Sequence, residues 1–246
     1  MAKKIYISPS DQTKNVYAAG NTNEAVQCRQ IAQYLANALK RCGFETKLNL
    51  TATMAQRVTE SNEWDADLHI CVHTNAFNEK VTGTRLMSYD LKNAGYKACK
   101  AIFDVLAPIT PGTSENISAH PELYEIRKAT APTVYVEVDF HDVDEIALWI
   151  IDHKEDIAEA ICKGVCNYYN VTYKKSATSQ PSGTEVRYKL LKDIPKSYRS
   201  ETIDRLVKLG IIKGKSGKGE DLVIDLGEDA IRLLVINDRA GLYPKS

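Results

Sequence analysis

The sequence predicts an α/β fold: a twisted, mostly parallel sheet with helices on both faces, followed by a small, mainly helical C-terminal domain. Two observations predict it. Over residues 3–172, short apolar runs alternate with segments of helical period. A small, polar stretch without hydrophobic period, residues 175–186, then separates this body from a shorter segment with apolar positions of its own. The expected division is therefore a body at 1–174, a linker at 175–186 and a small domain at 187–246.

Residues 3–8 read as the opening strand. Cys28, Ile31, Ala32, Leu35, Ala38, Leu39 and Cys42 then fall on one helical face, which stops at Gly43. A strand near 45–50, a helix near 55–64 and a strand at 68–72 continue the alternation. Further strands are expected near 85–89 and 133–138, with helices around 94–106 and 144–168. In sheets built this way, sites form where strands end and loops begin. The C-terminal segment reads as a helix at 200–209 closed by Gly210, an apolar patch at 222–226 and a helix at 228–236. Its apolar set is modest, which points to self-association as a homo-oligomer.

Composition narrows the function classes. The 246 residues are 43% hydrophobic with balanced charge, as in an ordinary globular protein. Residues 1–174 carry 18 Lys/Arg against 22 Asp/Glu, and residues 175–246 carry 14 against 10. A net +4 on the shorter part suits an anionic polymer but is too weak for nucleic acid. No apolar run reaches the roughly 18 residues a membrane helix needs, so no membrane insertion is expected. Residues 1–5 lack the pattern of a secretion signal, which predicts synthesis in the cytoplasm. The six cysteines are spread out and unpaired as CxxC, so reduced, buried thiols are expected, with Cys162 and Cys166 packing in the core.

Three residues stand out chemically. Glu24 opens the first long helix, where a carboxylate is favoured by the unpaired amides and the helix dipole. His73 closes the strand at 68–72, and with a period of two it shares a face with His69 and Cys71, opposite Leu68, Ile70 and Val72. Glu137 lies inside the apolar run Val134-Tyr135-Val136-Glu137-Val138, where an unpaired charge is expensive and a glutamate needs a reason. Singly, each also reads as an ordinary helix-start acid, a hydrogen-bonded histidine or a strand residue.

Together these pieces resemble the zinc-dependent N-acetylmuramoyl-L-alanine amidases, endolysin members included, over about residues 3–172. The resemblance rests on Ile5-Tyr6-Ile7-Ser8-Pro9, Asn23-Glu24, the run from Ala66 to Ala76 containing Val72-His73-Thr74-Asn75, and Gly83-Thr84. It continues through Leu123-Tyr124-Glu125-Ile126 and Pro132-Thr133-Val134-Tyr135-Val136-Glu137-Val138-Asp139-Phe140. It implies peptidoglycan as the substrate, Zn2+ as the cofactor, Glu24 and His73 as metal ligands and Glu137 as the catalytic carboxylate. The missing export signal matches an enzyme of phage or prophage type that reaches the wall after release.

One departure stands at the opening turn, which in the family reads Asp-Pro-Gly-His-Gly and here reads Ser8-Pro9-Ser10-Asp11-Gln12. The usual histidine ligand is absent. His141 is the preferred replacement because imidazole suits zinc and Asp142 offers an adjacent acid. Asp11, at the matching position, and His120, in a loop, remain open. The segment at 190–236, with Leu191-Lys192-Asp193-Ile194-Pro195 and Leu209-Gly210-Ile211-Ile212, resembles a single surface-layer-homology repeat, which implies anchoring to wall polymers. Two other readings fail. Gly210 to Ser216 has the wrong spacing and context for a phosphate loop, and Cys71 has no thiolate-activating surroundings.

Overall fold

The computed structural model describes residues 2–176, 187–194, 202–227, 231, 234–235 and 243–244. The chain divides into two compact units, Met1–Ser176 and Ala177–Ser246. Nearly all of the expected linker, and most of the expected helix at 228–236, lie outside the described residues.

The first unit is built on strands β1 (Lys4–Pro9), β2 (Glu45–Leu48), β3 (Leu68–Asn75), β4 (Arg85–Ser88), β5 (Asn116–Ala119) and β6 (Thr133–Phe140). They form one six-stranded sheet in the order β2-β1-β3-β6-β4-β5. The neighbours β2, β1, β3 and β6 run parallel, β4 pairs antiparallel with β6, and β5 runs parallel to β4. The β-branched and aromatic residues of β1 and β6 favour the pleated backbone, and their alternation sorts the sheet into two chemically different faces. Ile5, Ile7, Leu68, Ile70, Val72, Val134, Val136 and Val138 belong to the main apolar core. The intervening residues Tyr6, Ser8, His69, Cys71, His73, Tyr135 and Glu137 make the other face polar.

Helices α1 (Glu24–Arg41), α3 (Ala94–Leu106), α5 (Asp144–Asp152) and α6 (Lys154–Tyr169) cover the apolar face. Each fully buried Leu or Ile there contributes roughly 1.5–3 kcal/mol. The start of α1 is set by Asn23, whose side chain accepts from the Val26 N–H, with Glu24 in its first turn and Lys40 and Arg41 in its last. Helices α2 (Met54–Glu63), capped reciprocally by Thr53 and Gln56, and α4 (Tyr124–Lys128) pack against each other and against β1 and β6.

Three features differ from expectation. The helix expected at 144–168 is broken at His153, which leaves helical geometry at φ −111°, ψ 24° while its Nδ1 caps the Trp149 carbonyl at 2.8 Å. Strand β5 and helix α4 were not anticipated, being only four and five residues long. In the second unit, β7 (Arg187–Leu190) and β8 (Val223–Gly227) pair as an antiparallel ribbon where sequence pattern showed only an apolar patch. Helix α7 there is short, Asp204–Lys208, and Leu191, Ile194, Ile203, Leu206, Ile212, Ile224 and Ile231 form a separate small core. Among the described residues, no helix is long and apolar enough to cross a membrane.

Candidate active site

The parallel register of β3 and β6 sets His73 directly beside Glu137, at the carboxyl ends of the strands where α/β sites form. Glu24, in the first turn of α1, reaches this point: its Oε1 lies 2.8 Å from His73 Nδ1. Burial opposes charge on Glu24, but the hydrogen bond and positive charge of His73, with an N–H from Asn15 at 2.7 Å, hold its carboxyl below the usual range. Burial likewise opposes charge on His73, and the Glu24 hydrogen bond with the charges of Glu137 and Glu24 overcomes it, so the ring's pKa is raised. The two form a buried carboxylate–imidazole pair.

Glu137 has a different environment. Burial pushes its carboxyl up to about 8; the nearby His73 charge pulls it down and that of Glu24 adds to the rise. Its Oε2 and the Nε2 of His73 are both buried without a hydrogen-bond partner. Tyr135 stacks beneath the His73 ring with centroids 4.4 Å apart, which fixes its plane. An open cavity of about 450 Å³ is lined by Gln12, Asn15, Glu24, Thr74, Glu137 and His141, among others.

The replacement candidates separate clearly. Asp11 turns away, 42% exposed, and its Oδ2 lies 3.5 Å from the Arg57 guanidinium. His120 pairs with Glu122 and Ser118 and lines a different cavity, with Arg85 and Phe140. His141 does line the cavity of Glu24 and Glu137. Its Nδ1 sits 2.9 Å from the Thr74 hydroxyl and 3.1 Å from the Thr74 carbonyl, its ring stacks on Tyr17 at 4.7 Å, and burial lowers its pKa. A carbonyl can only accept, so Nδ1 carries the proton and Nε2 keeps its lone pair. The acid expected to orient this ring does not do so: Asp142 Oδ2 accepts the N–H groups of Phe77 and Glu79 instead, each at 2.8 Å.

Gln12 is the residue that sequence reasoning missed. Its Nε2 lies 3.5 Å from Glu24 Oε1 and 3.4 Å from His73 Nδ1, beside both groups, while its Oε1 accepts from Asn15 at 3.0 Å. Since His73 Nδ1 already donates to Glu24, the Gln12 N–H has only the carboxylate to donate to. Its place in the altered opening turn was the available signal. Among the described residues, two trios of ligand-type side chains have their donor atoms within 4.8 Å of one another, Cys42–Cys162–Cys166 and His69–Cys71–Glu125. Glu24, His73 and His141 do not make a third. The His69 trio lies one layer down the polar face, where His69 bridges Ser61 and Glu125, and Ser8 links Glu125 to Arg57.

Residues 5–167, more than half of the 246-residue chain, match the N-acetylmuramoyl-L-alanine amidase family. The chain belongs to this family. Amidase structures share its fold: the catalytic domain of CwlV, an N-acetylmuramoyl-L-alanine amidase from Bacillus (Paenibacillus) polymyxa var. colistinus, aligns with TM-score 0.62 and 20% identity over 69% of this chain and 99% of that one. The amidase AmiC2 of Nostoc punctiforme gives 0.59 and 20% over 68% and 97%. The catalytic domain of the CD27L endolysin targeting Clostridia difficile gives 0.56 and 22% over 68% and 97%. An uncharacterized 38.4 kDa protein of Clostridium perfringens is 24% identical over 163 residues, 62% of this chain and 48% of that protein. The amidase-family chain thus spans about half the length of this curated relative.

Proposed function

We propose that this amidase-family chain hydrolyses the amide between N-acetylmuramic acid and L-alanine in peptidoglycan. The observation that carries the reading is the convergence of Glu24, His73 and Glu137 at the strand ends, with two buried polar atoms unpartnered. A carboxylate and an imidazole in contact are donors of the type that hold zinc, and unpartnered buried polar atoms fit a site completed by a ligand. Glu24 and His73 would hold the metal, with His141 as third ligand from the wall of the same cavity, its Nε2 left free by the Thr74 carbonyl. Gln12 would yield its place beside the pair. Bound there, zinc supplies a Lewis acid for the scissile carbonyl and the attacking water. A cation held beside Glu137 would lower its raised carboxyl and leave it ionised, so that it would take a proton from the attacking water and deliver it to the leaving nitrogen.

The second cavity supports substrate binding next to this point. It measures about 340 Å³, shares Asn75 and Ala76 with the first, and is lined by the 74%-exposed Phe77 and by Arg85. Arg85 Nε is buried without a partner, so a carboxylate of the stem peptide is the group it would take. Residues 187–246 would hold the chain on anionic wall polymers, self-association supplying more than one copy of the repeat. Action on the cell wall as an endolysin of phage or prophage type completes the reading.

Incubation with a purified muramoyl tripeptide, followed by mass spectrometry, tests it: free N-acetylmuramic acid and intact peptide are expected. An unchanged muropeptide, with binding to walls intact, would favour a wall-binding module, the reading that the missing histidine and the Gln12 amide beside Glu24 and His73 support. Zinc content then tests the third ligand. His141→Ala should hold one zinc fewer than wild type while Asp11→Ala and Gln12→Ala match it; a deficit in Gln12→Ala alone would assign that ligand to Gln12.

A further inference from the structure

We infer that Cys42, Cys162 and Cys166 form a second metal site, structural in role, for a thiophilic cation of the zinc type. It lies at the C-terminal end of α1. That helix has 18 residues, so the site is about 27 Å along the helix from Glu24. Cys162 and Cys166 are four apart on α6 and so share one helical face, while Cys42 is the C-cap of α1. All three are buried, their sulfurs lie within 4.8 Å of one another, and the Cys42 and Cys162 sulfurs are 3.7 Å apart.

Polar groups border the sulfurs. The Lys174 N–H donates to the Cys42 sulfur at 3.3 Å. Arg41 places its guanidinium alongside, donating to the Lys174 carbonyl at 2.7 Å and to Glu159 at 2.6 Å. Simple core packing gives no reason for three sulfurs from two elements to converge, nor for a backbone N–H to donate to one of them. Three thiolates leave the fourth vertex of a tetrahedron for water or another small ligand. Each thiol that ligates releases its proton to solvent, so uptake weakens as pH falls. The bound ion would tie the end of α1 to α6 and to the segment around Lys174.

The test uses the full chain, purified with reductant and stripped with a chelator. Cadmium titration should give a thiolate-to-metal charge-transfer band saturating at one equivalent in wild type and in Glu24→Ala, and no band in Cys162→Ser. Should Cys162→Ser fail to fold, wild type alone suffices: at zinc about ten times its Kd, alkylation of Cys42, Cys162 and Cys166 should slow about tenfold. Mass spectrometry assigns the protected residues. Absence of a thiolate band in wild type, protection at Cys71 instead, or a Cys42–Cys162 disulfide in protein that takes up no metal would each overturn the inference.

Discussion

A carboxylate inside an apolar strand costs several kcal/mol unless a partner or a task offsets it, and Glu137 has its Oε2 unpartnered. The proposed role as proton carrier would account for a carboxylate being kept there. Glu137→Gln keeps the shape and removes the base, so zinc content should be unchanged while turnover falls roughly 10²–10⁴-fold; an active Gln variant would remove Glu137 from the chemistry. Glu125 serves stability instead. Burial raises its pKa, but the His69 hydrogen bond and charge and the Ser8 hydroxyl hold it below the ordinary value. A depressed folded-state pKa stabilises above the unfolded value of about 4.3, and that contribution is lost as pH falls through the folded value. Thermal midpoints should therefore drop less for Glu125→Gln than for wild type between about pH 6 and about pH 3. An equal drop would deny the carboxylate this role. Arg85→Gln should raise KM for muropeptides carrying a free stem carboxylate and leave kcat nearly unchanged; a kcat loss of the same size would place Arg85 in the chemical step instead.

At the scale of elements, loops are anchored by carboxylates at the end of β6. Asp139 accepts the N–H groups of Gly83 at 2.6 Å and Gly112 at 3.1 Å, bringing the segment before β4 against the one before β5. The approach is so close that a Cβ on Gly112 would meet the Gly83 nitrogen at 2.1 Å. Gly112→Ala should therefore destabilise the first unit by about 1–3 kcal/mol in denaturant unfolding, and a neutral result would mean that these segments can separate. The alternation His69-Cys71-His73 against Leu68-Ile70-Val72 was legible because a strand's period is fixed and one face is wholly apolar. The break at His153 was not, since helical apolar period runs on through it and only the cap to Trp149 marks it. The β7–β8 ribbon was hidden for another reason: its strands are far apart in sequence, and each is too short to show a pattern.

For the whole molecule, the first unit carries its own core and the entire candidate site, and the second has a smaller core of its own. Glu24, His73 and Glu137 stood out in the sequence because a helix start, a strand end and an apolar strand each constrain what belongs there, while their roles rested on the family resemblance. For Gln12 the altered opening turn was the one signal, since an amide in a turn carries no such constraint and its contacts emerge only when β1, α1 and β3 meet. The activity proposed for this meeting point is cleavage of the lactyl amide. The most direct measurement is the identity of amino termini released from purified cell walls by wild type and by Glu137→Gln, with zinc quantified in both. New L-alanine amino termini from wild type alone, at equal zinc content, are the predicted result. Equal release by both proteins, or wall cleavage that yields new reducing sugar ends without L-alanine termini, would contradict it.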